Sequence, residues 1–428
     1  MRKNINKLVA FSIGISIMSG SIIPVFAADA TQNIITAVQN QVSQKSVLTL
    51  DDAIMEAIRN SETLALDDKK ISYQDKTNDI KEMQDDFNNV SDDVEDYDDD
   101  TADIKLKKAK QQRDFDEDLL RKKVTDKYND IVTSQIKIDK AAKDLAVKNK
   151  GLEDDELRAS LGIRRLIDVK STKLEIQNLQ NAQKTNQNKL NDSQYSFKVL
   201  TNKDVKQYSL EQDVQFEPLK IDGSIDVYLD DTIDSYLKYT EQLVNLNKDY
   251  YDKDYEKDNK ITTNDMTTAE TEANTAVRPV EPQYVAGDTD ANFAAYRDYE
   301  NKVNIYNATK SKYTGILASR LTYLNTKLSN SQDETNLNEN RKKFKDSLKG
   351  YYTDLLTSED KINYLKKNIE ITNENTSNLK LKYDLGMITE SAYNTQVLSS
   401  DDLDIQLRSE IINYNTLKEK IQKPWISL

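Results

Sequence analysis

The chain has 428 residues, with 60 lysines and arginines against 74 aspartates and glutamates. A formal net charge of -14 argues against nucleic acid as a partner, because like charge repels the phosphate backbone. There is no histidine and no cysteine, which excludes Ser-His-Asp and Cys-His catalysis, ordinary zinc sites, disulfide staples and a lipid attached to cysteine. Only 9 glycines and 5 prolines accompany 31% charged and 37% hydrophobic residues, a mix that suits long thin helices, each burying one narrow stripe, better than a thick core.

The chain begins with Arg2, Lys3 and Lys7, then an apolar stretch from Leu8 to Phe26 closed by Val25-Phe26-Ala27. That order of charge, apolar run and small residues predicts a signal peptide over residues 1–27, followed by a polar leader over 28–47. No later stretch approaches the roughly 18 apolar residues of a membrane helix, and the tail 424–428 carries no anchor. The expectation is an exported protein, extracellular or associated with the cell envelope, with no integral membrane segment after signal cleavage.

The first helical pattern opens at Leu50-Asp51-Asp52-Ala53-Ile54, with Thr49 and Asp52 spaced as a capping box. It recurs as Leu229-Asp230-Asp231-Thr232-Ile233. A longer match runs without gaps. Val124, Tyr128, Ile131, Val132, Ser134 and Ile138 correspond at one constant offset to Leu348, Tyr352, Leu355, Leu356, Ser358 and Ile362, and the same offset carries Leu161-Gly162 onto Leu385-Gly386. Apolar positions at steps of three and four are those of a coiled-coil seam. Each glycine interrupts a long pattern that resumes after it, so Gly162 and Gly386 are predicted hairpin tips. Arms of forty residues would reach roughly 60 Å.

The fold class predicted is all-α, built from two repeated long antiparallel helical hairpins. The first occupies 48–205, with an acidic connector at 84–103 and a tip near 162; a linker follows at 206–226. The second occupies 227–423, with an insertion at 259–302 whose Thr, Asn, Asp and Pro content reads as a loop or disordered excursion, and a tip near 386. The Asp98-Asp99-Asp100 cluster lacks the glycine and terminal glutamate of a calcium loop and reads as solvated linker. Tyr250, Tyr251, Tyr255, Tyr296, Tyr299 and Tyr306 read as fillers of helix seams. No catalytic, cofactor or metal residues are predicted, and nothing supports an enzyme.

Leu48-Thr49-Leu50-Asp51-Asp52-Ala53-Ile54 ahead of paired hairpins resembles the opening of the TolC-like outer-membrane efflux protein family. Gly162-Ile163-Arg164-Arg165-Leu166-Ile167-Asp168-Val169 is similar to that family's Gly-x-Arg-x-apolar-apolar-Asp-Val segment, and Tyr383 to Thr389 resembles its second tip. The resemblance implies a homotrimer whose helices form a hollow barrel, with tips that narrow the entrance and dock on an adaptor protein or an inner-membrane transporter. It makes Gly162, Arg164, Asp168, Gly386 and Thr389 the candidates for gating or docking. Ala392 stands where Asp168 stands in the first tip, so a symmetric acidic constriction is not implied. Family members cross the outer membrane with strands inserted in each copy. The equivalent segments here, 84–103 and 259–302, lack the alternating apolar residues of such strands. The expectation is a member without a membrane barrel, fitting a Gram-positive source. The alternative is a secreted or wall-associated coiled-coil protein that transports nothing.

Overall fold

The structure is a computed structural model that describes residues 45–427; the segment read as a signal peptide and most of the leader lie outside them. After a short strand β1 (Val47–Leu48), helix α1 (Leu50–Asn60) starts on the Thr49 hydroxyl, which accepts from the Asp52 N–H at 3.1 Å and donates to the Asp52 carboxylate at 2.8 Å. Ser61 ends α1 and caps α2 (Glu62–Asn88). Helix α3 (Asp92–Ser160) has 69 residues and α4 (Leu166–Thr201) returns along it. Strand β2 (Ser209–Leu210) pairs in parallel with β1. The second copy runs α5 (Ile225–Asp249), a π turn at Tyr250–Asp254, α6 (Tyr255–Asn259), α7 (Thr263–Thr275), α8 (Thr289–Asp384) and α9 (Glu390–Gln422). With 96 residues, α8 is about 140 Å long. No helix of the described residues is long and apolar enough to cross a membrane.

Two segments differ from their sequence reading. Residues 84–103 are helical on both sides of a tight turn rather than a flexible connector. Asn89 takes the left-handed conformation with φ 50, and Asp92, Asp93 and Glu95 sit in the first turn of α3, where carboxylates complement the positive end of the helix. Lys81 pairs with Asp98 across the hairpin at 2.7 Å. The insertion 259–302 is also largely ordered into helix. Thr262 and Asp265 form a reciprocal capping box that starts α7, and the small side chains of Ala269 and Ala273 bury against α8. The intervening link over 276–288 is irregular and is held by Asn292, whose side chain bonds the Val285 N–H and carbonyl at 2.8 and 2.7 Å. Low apolar content made these segments look loose, yet an alanine seam allows close helix contact without large side chains.

The core is two seams rather than one mass. In the first copy Leu48, Ala53, Ile54 and Ala57 pack on Val124, Tyr128, Ile131 and Phe197; in the second Leu229 and Ile233 pack with Leu348, Leu355, Ile362, Tyr414 and Ile421. The repeat equivalents Val124 and Leu348, and Ile131 and Leu355, are buried alike, whereas Val132 is buried and Leu356 exposed. Tyrosines fill the junction of α3, the π turn and α8: Tyr97 stacks on Tyr250 at 3.9 Å and Tyr255 on Tyr323 at 5.6 Å.

The helices form a layer in which each touches its neighbours on either side. Above the level of β1 the order is α2, α3, α5, α8; below it the order is α4, α3, α9, α8. The 206–226 segment crosses this layer as a strap. The Tyr128 hydroxyl donates to the Leu48 carbonyl and accepts from the Glu211 N–H, both at 2.8 Å, and the Tyr414 hydroxyl accepts from the Leu219 N–H at 2.8 Å. The last residues fold back as well, with the Trp425 ring 4.2 Å from Phe115 and its indole N–H 3.0 Å from Asp118.

Glu410 is the buried carboxylate of the α8–α9 seam, bonded by the Ser358 hydroxyl at 2.7 Å, Lys361 at 2.6 Å and Asn413 at 3.1 Å. Burial by itself would push this carboxyl up, but the bonds from Lys361, Ser358 and Asn413 outweigh it and hold it below the usual glutamate range. A depressed carboxyl stabilises the fold above its unfolded pKa, and that contribution disappears as pH falls through the native value. Urea unfolding of Glu410→Gln against the parent therefore shows a deficit at neutral pH that closes in acid.

Gly162 and Gly386 have φ +69 and +71, with nothing within 4 Å of the place a Cβ would take. Replacing either by alanine costs about 1 kcal/mol of backbone strain with no clash. A thermal melt of G162A or G386A at or above the parent midpoint would contradict this account.

Candidate functional site

Both tips have the same backbone. At the first, Leu161 N–H bonds the Leu157 carbonyl at 3.2 Å, Gly162 N–H that of Ala159 at 3.0 Å and Ile163 N–H that of Arg158 at 2.9 Å. At the second, Leu385, Gly386 and Met387 bond Leu381, Tyr383 and Lys382 at 3.0, 2.9 and 2.8 Å. The left-handed glycine lets the chain reverse while the last carbonyls of the incoming helix keep partners. Thr389 caps α9, its hydroxyl accepting from the Ala392 N–H at 3.2 Å.

The side chains diverge. Arg164 reaches back to Asp155 at 2.6 Å, and Thr172 donates to the same carboxylate at 3.2 Å, so the buried Asp155 is held by both arms of the hairpin. Asp168 pairs with Arg165, at 2.9 and 3.2 Å, and this contact holds its carboxyl below the usual range. Arg164 and Asp168 therefore sit in separate pairs. In the second tip Ile388 and Thr389 replace the two arginines, and Tyr383 stacks on Tyr393 at 5.5 Å with Lys380 over both rings. Lys150 pairs with Glu390, tying the first hairpin to the second.

Two features escaped the reading of single residues. One is Asp155, hidden among many carboxylates. The other is an apolar cap: Leu157, Leu161, Ile163, Leu166 and Ile167 on the first tip and Leu381, Leu385 and Met387 on the second are all exposed. Hydrophobic side chains at turn ends are legible in the sequence, but their exposure follows only from the absence of a covering element. Among the described residues no cluster of three or more His, Cys, Asp or Glu side chains can hold a metal ion.

This layered arrangement is the TolC-like fold, that of the helical outer-membrane efflux channels. Solved structures of other proteins share it. The outer-membrane channel OprN matches with TM-score 0.52 and 9% identity over 88% of this chain and 90% of its own. CusC, whose structures concern folding and transmembrane channel formation, matches with TM-score 0.51 and 10% identity over 88% and 91%. A membrane protein from Pseudomonas aeruginosa matches with TM-score 0.50 and 10% identity over 88% and 93%. No protein-family model and no curated protein sequence matches the chain.

Removing Arg164 leaves Asp155 buried with only Thr172 beside it, at a cost of about 1–3 kcal/mol local to the tip. Hydrogen exchange across 155–172 rises in Arg164→Ala and stays at the parent rate in Arg165→Ala, because the Arg165–Asp168 pair is exposed and screened.

Proposed function

We propose that this chain is the extracytoplasmic helical component of an export or efflux assembly, acting as a homotrimer whose helices enclose a conduit and whose tips bind an adaptor protein or an inner-membrane transporter. The observation that carries the reading is the layer of helices with two open edges. The edge formed by α2 and α4 exposes Leu66, Tyr73, Ile80, Phe87, Leu174, Tyr195 and Val199, and the edge formed by α8 exposes Leu317, Leu321, Leu324, Leu328, Leu356, Tyr364 and Ile371. Unlike edges on one molecule are satisfied by head-to-tail contacts, which close into a ring when the rotation between copies divides a full turn. The fold shared with OprN and CusC supports the same assembly, and the apolar caps on the tips suit a protein partner.

A second reading, a coiled-coil spacer that transports nothing, draws support from the helical course of 84–103 and 259–302, where the resemblance calls for strands. Light scattering on the full exported chain separates the two. The conduit requires three copies and a hollow ring by electron microscopy, whereas a monomer or a solid two-copy rod would leave the spacer.

A further inference from the structure

Helix α2 carries two seven-residue stripes. One, Leu64, Ile71, Asn78 and Asp85, turns toward α3 and is at least partly buried. The other, Leu66, Tyr73, Ile80 and Phe87, lies two residues further on, about 200° around the helix. It is exposed, with Phe87 at 86%. Helix α8 repeats the arrangement: Tyr323, Asn330 and Leu337 turn toward α5 and its continuation, while Leu317, Leu321, Leu324 and Leu328 form an exposed seam at steps of four, three and four. A helix with a second apolar stripe spaced for a coiled coil is built for a second neighbour.

The two open stripes lie at one height. Lys257 pairs with Asp93, at the turn beside Phe87, at 3.6 Å, and Tyr255 stacks on Tyr323, between Leu321 and Leu324. One level lower, Lys81 pairs with Asp98, Tyr97 bonds Asn247 at 2.9 Å, and Asn330 bonds the Asn247 carbonyl at 3.3 Å, which sets Ile80 and Met83 level with Leu328. A rotation about an axis along the bundle keeps each residue at its own height, so the next copy brings one stripe to the other.

Their charges are opposite. Asp79, Glu82 and Asp86 flank the α2 stripe without a cation partner among the described residues, and Asp92, Asp93, Glu95 and Asp96 follow at the turn. Crowding there, after loss of hydration, pushes the Glu95 carboxyl up through Asp86, Asp99 and Asp92. From Lys302 to Asn330, α8 carries Lys302, Lys310, Lys312, Arg320 and Lys327 and no carboxylate; Lys302, Lys312 and Lys327 are already paired with Asp298, Glu272 and Asp252, and Lys310 bonds the Ala273 carbonyl, so Arg320 is the cation left for a partner. Arg320 lies beside the leucine seam, its guanidinium 5.2 Å from the Tyr323 ring and free of any carboxylate among the described residues. The unpaired Arg320 beside the α8 seam complements the unpaired Asp79, Glu82 and Asp86 beside the α2 stripe.

We propose that the acidic end of the α2–α3 hairpin docks on the basic leucine seam of α8 in a second copy of this chain, so that helices close the ring at the end where relatives of this fold turn to strands. The inference rests on the ring reading above and assigns its upper contact. Phe87, Met83 and Ile80 of one copy lie against Leu321, Leu324 and Leu328 of the next, with Arg320 facing Asp86 and Glu82.

The absence of native cysteine makes a direct test available in the full exported chain. Phe87→Cys is combined in turn with Leu321→Cys and Leu324→Cys, and a control pair, Val199→Cys with Leu356→Cys, probes the other half of the same two edges. Oxidation followed by a non-reducing gel is expected to give bands up to three copies and none beyond for an upper pair and for the control. Arg320→Glu lowers the upper yield several-fold and Asp86→Arg restores it, a rescue that a purely structural effect of either change does not produce. Control bands without upper bands overturn the docking while the ring stands. No bands from any pair, with a monomer mass in solution, overturn both.

Discussion

Every helix here with a neighbour on each side must offer two apolar stripes, and the rest of the structure depends on that requirement. In a layer one helix thick there is no interior to collect hydrophobic side chains; burial occurs only along lines where cylinders touch. Helix α3 meets this demand most fully, lying against α1, α2, α4, α5 and α9 along its length. It is where the two copies join. Arg408 from α9 reaches Thr133 at 3.2 Å and Asn129 at 3.3 Å on α3 and also the Gln212 carbonyl, so one half-buried guanidinium fastens helices α3 and α9 to the strap between them.

Within the two hairpins, inward-facing positions at the constant offset are buried alike, but the two edges of the layer differ. Positions that face inward within a hairpin kept their character, as Ile131 and Leu355 show. Positions at the boundary parted: Val132 is covered by its own chain, and its equivalent Leu356 lies open on α8. A head-to-tail ring needs this inequality, because each junction joins unlike surfaces. The tips follow the same logic. Their glycine turns are superimposable in hydrogen bonding, but an ionic lock at Arg164 and Asp155 in one is replaced by the Tyr383–Tyr393 stack in the other.

Most of the helical architecture is legible in the sequence, because a duplicated pattern with three- and four-residue steps has few other readings. Gly162 and Gly386 mark turns in the sequence and are left-handed in the structure. Segments 84–103 and 259–302 read as loose, the first for its carboxylates and the second for its Thr, Asn, Asp and Pro content, while Asn89, the Thr262 cap and the alanines of α7 supply local signals that composition averages away. At the tips Asp168 pairs with Arg165 at the three-residue spacing of a helix face, whereas Arg164 pairs with Asp155, nine residues back across the turn, which no helical spacing singles out.

Periodicity and the absence of histidine and cysteine determined by themselves that this is a helical protein without imidazole or thiol chemistry, since those properties belong to the chain's composition and local pitch. Which stripe of α2 or α8 would be covered and which left open was decided only by tertiary structure. Both stripes have coiled-coil spacing, and the covered ones, with Asn78, Asp85 and Asn330, are the less apolar; the difference lies in which helix the fold brings alongside, and that depends on contacts between residues far apart in the chain.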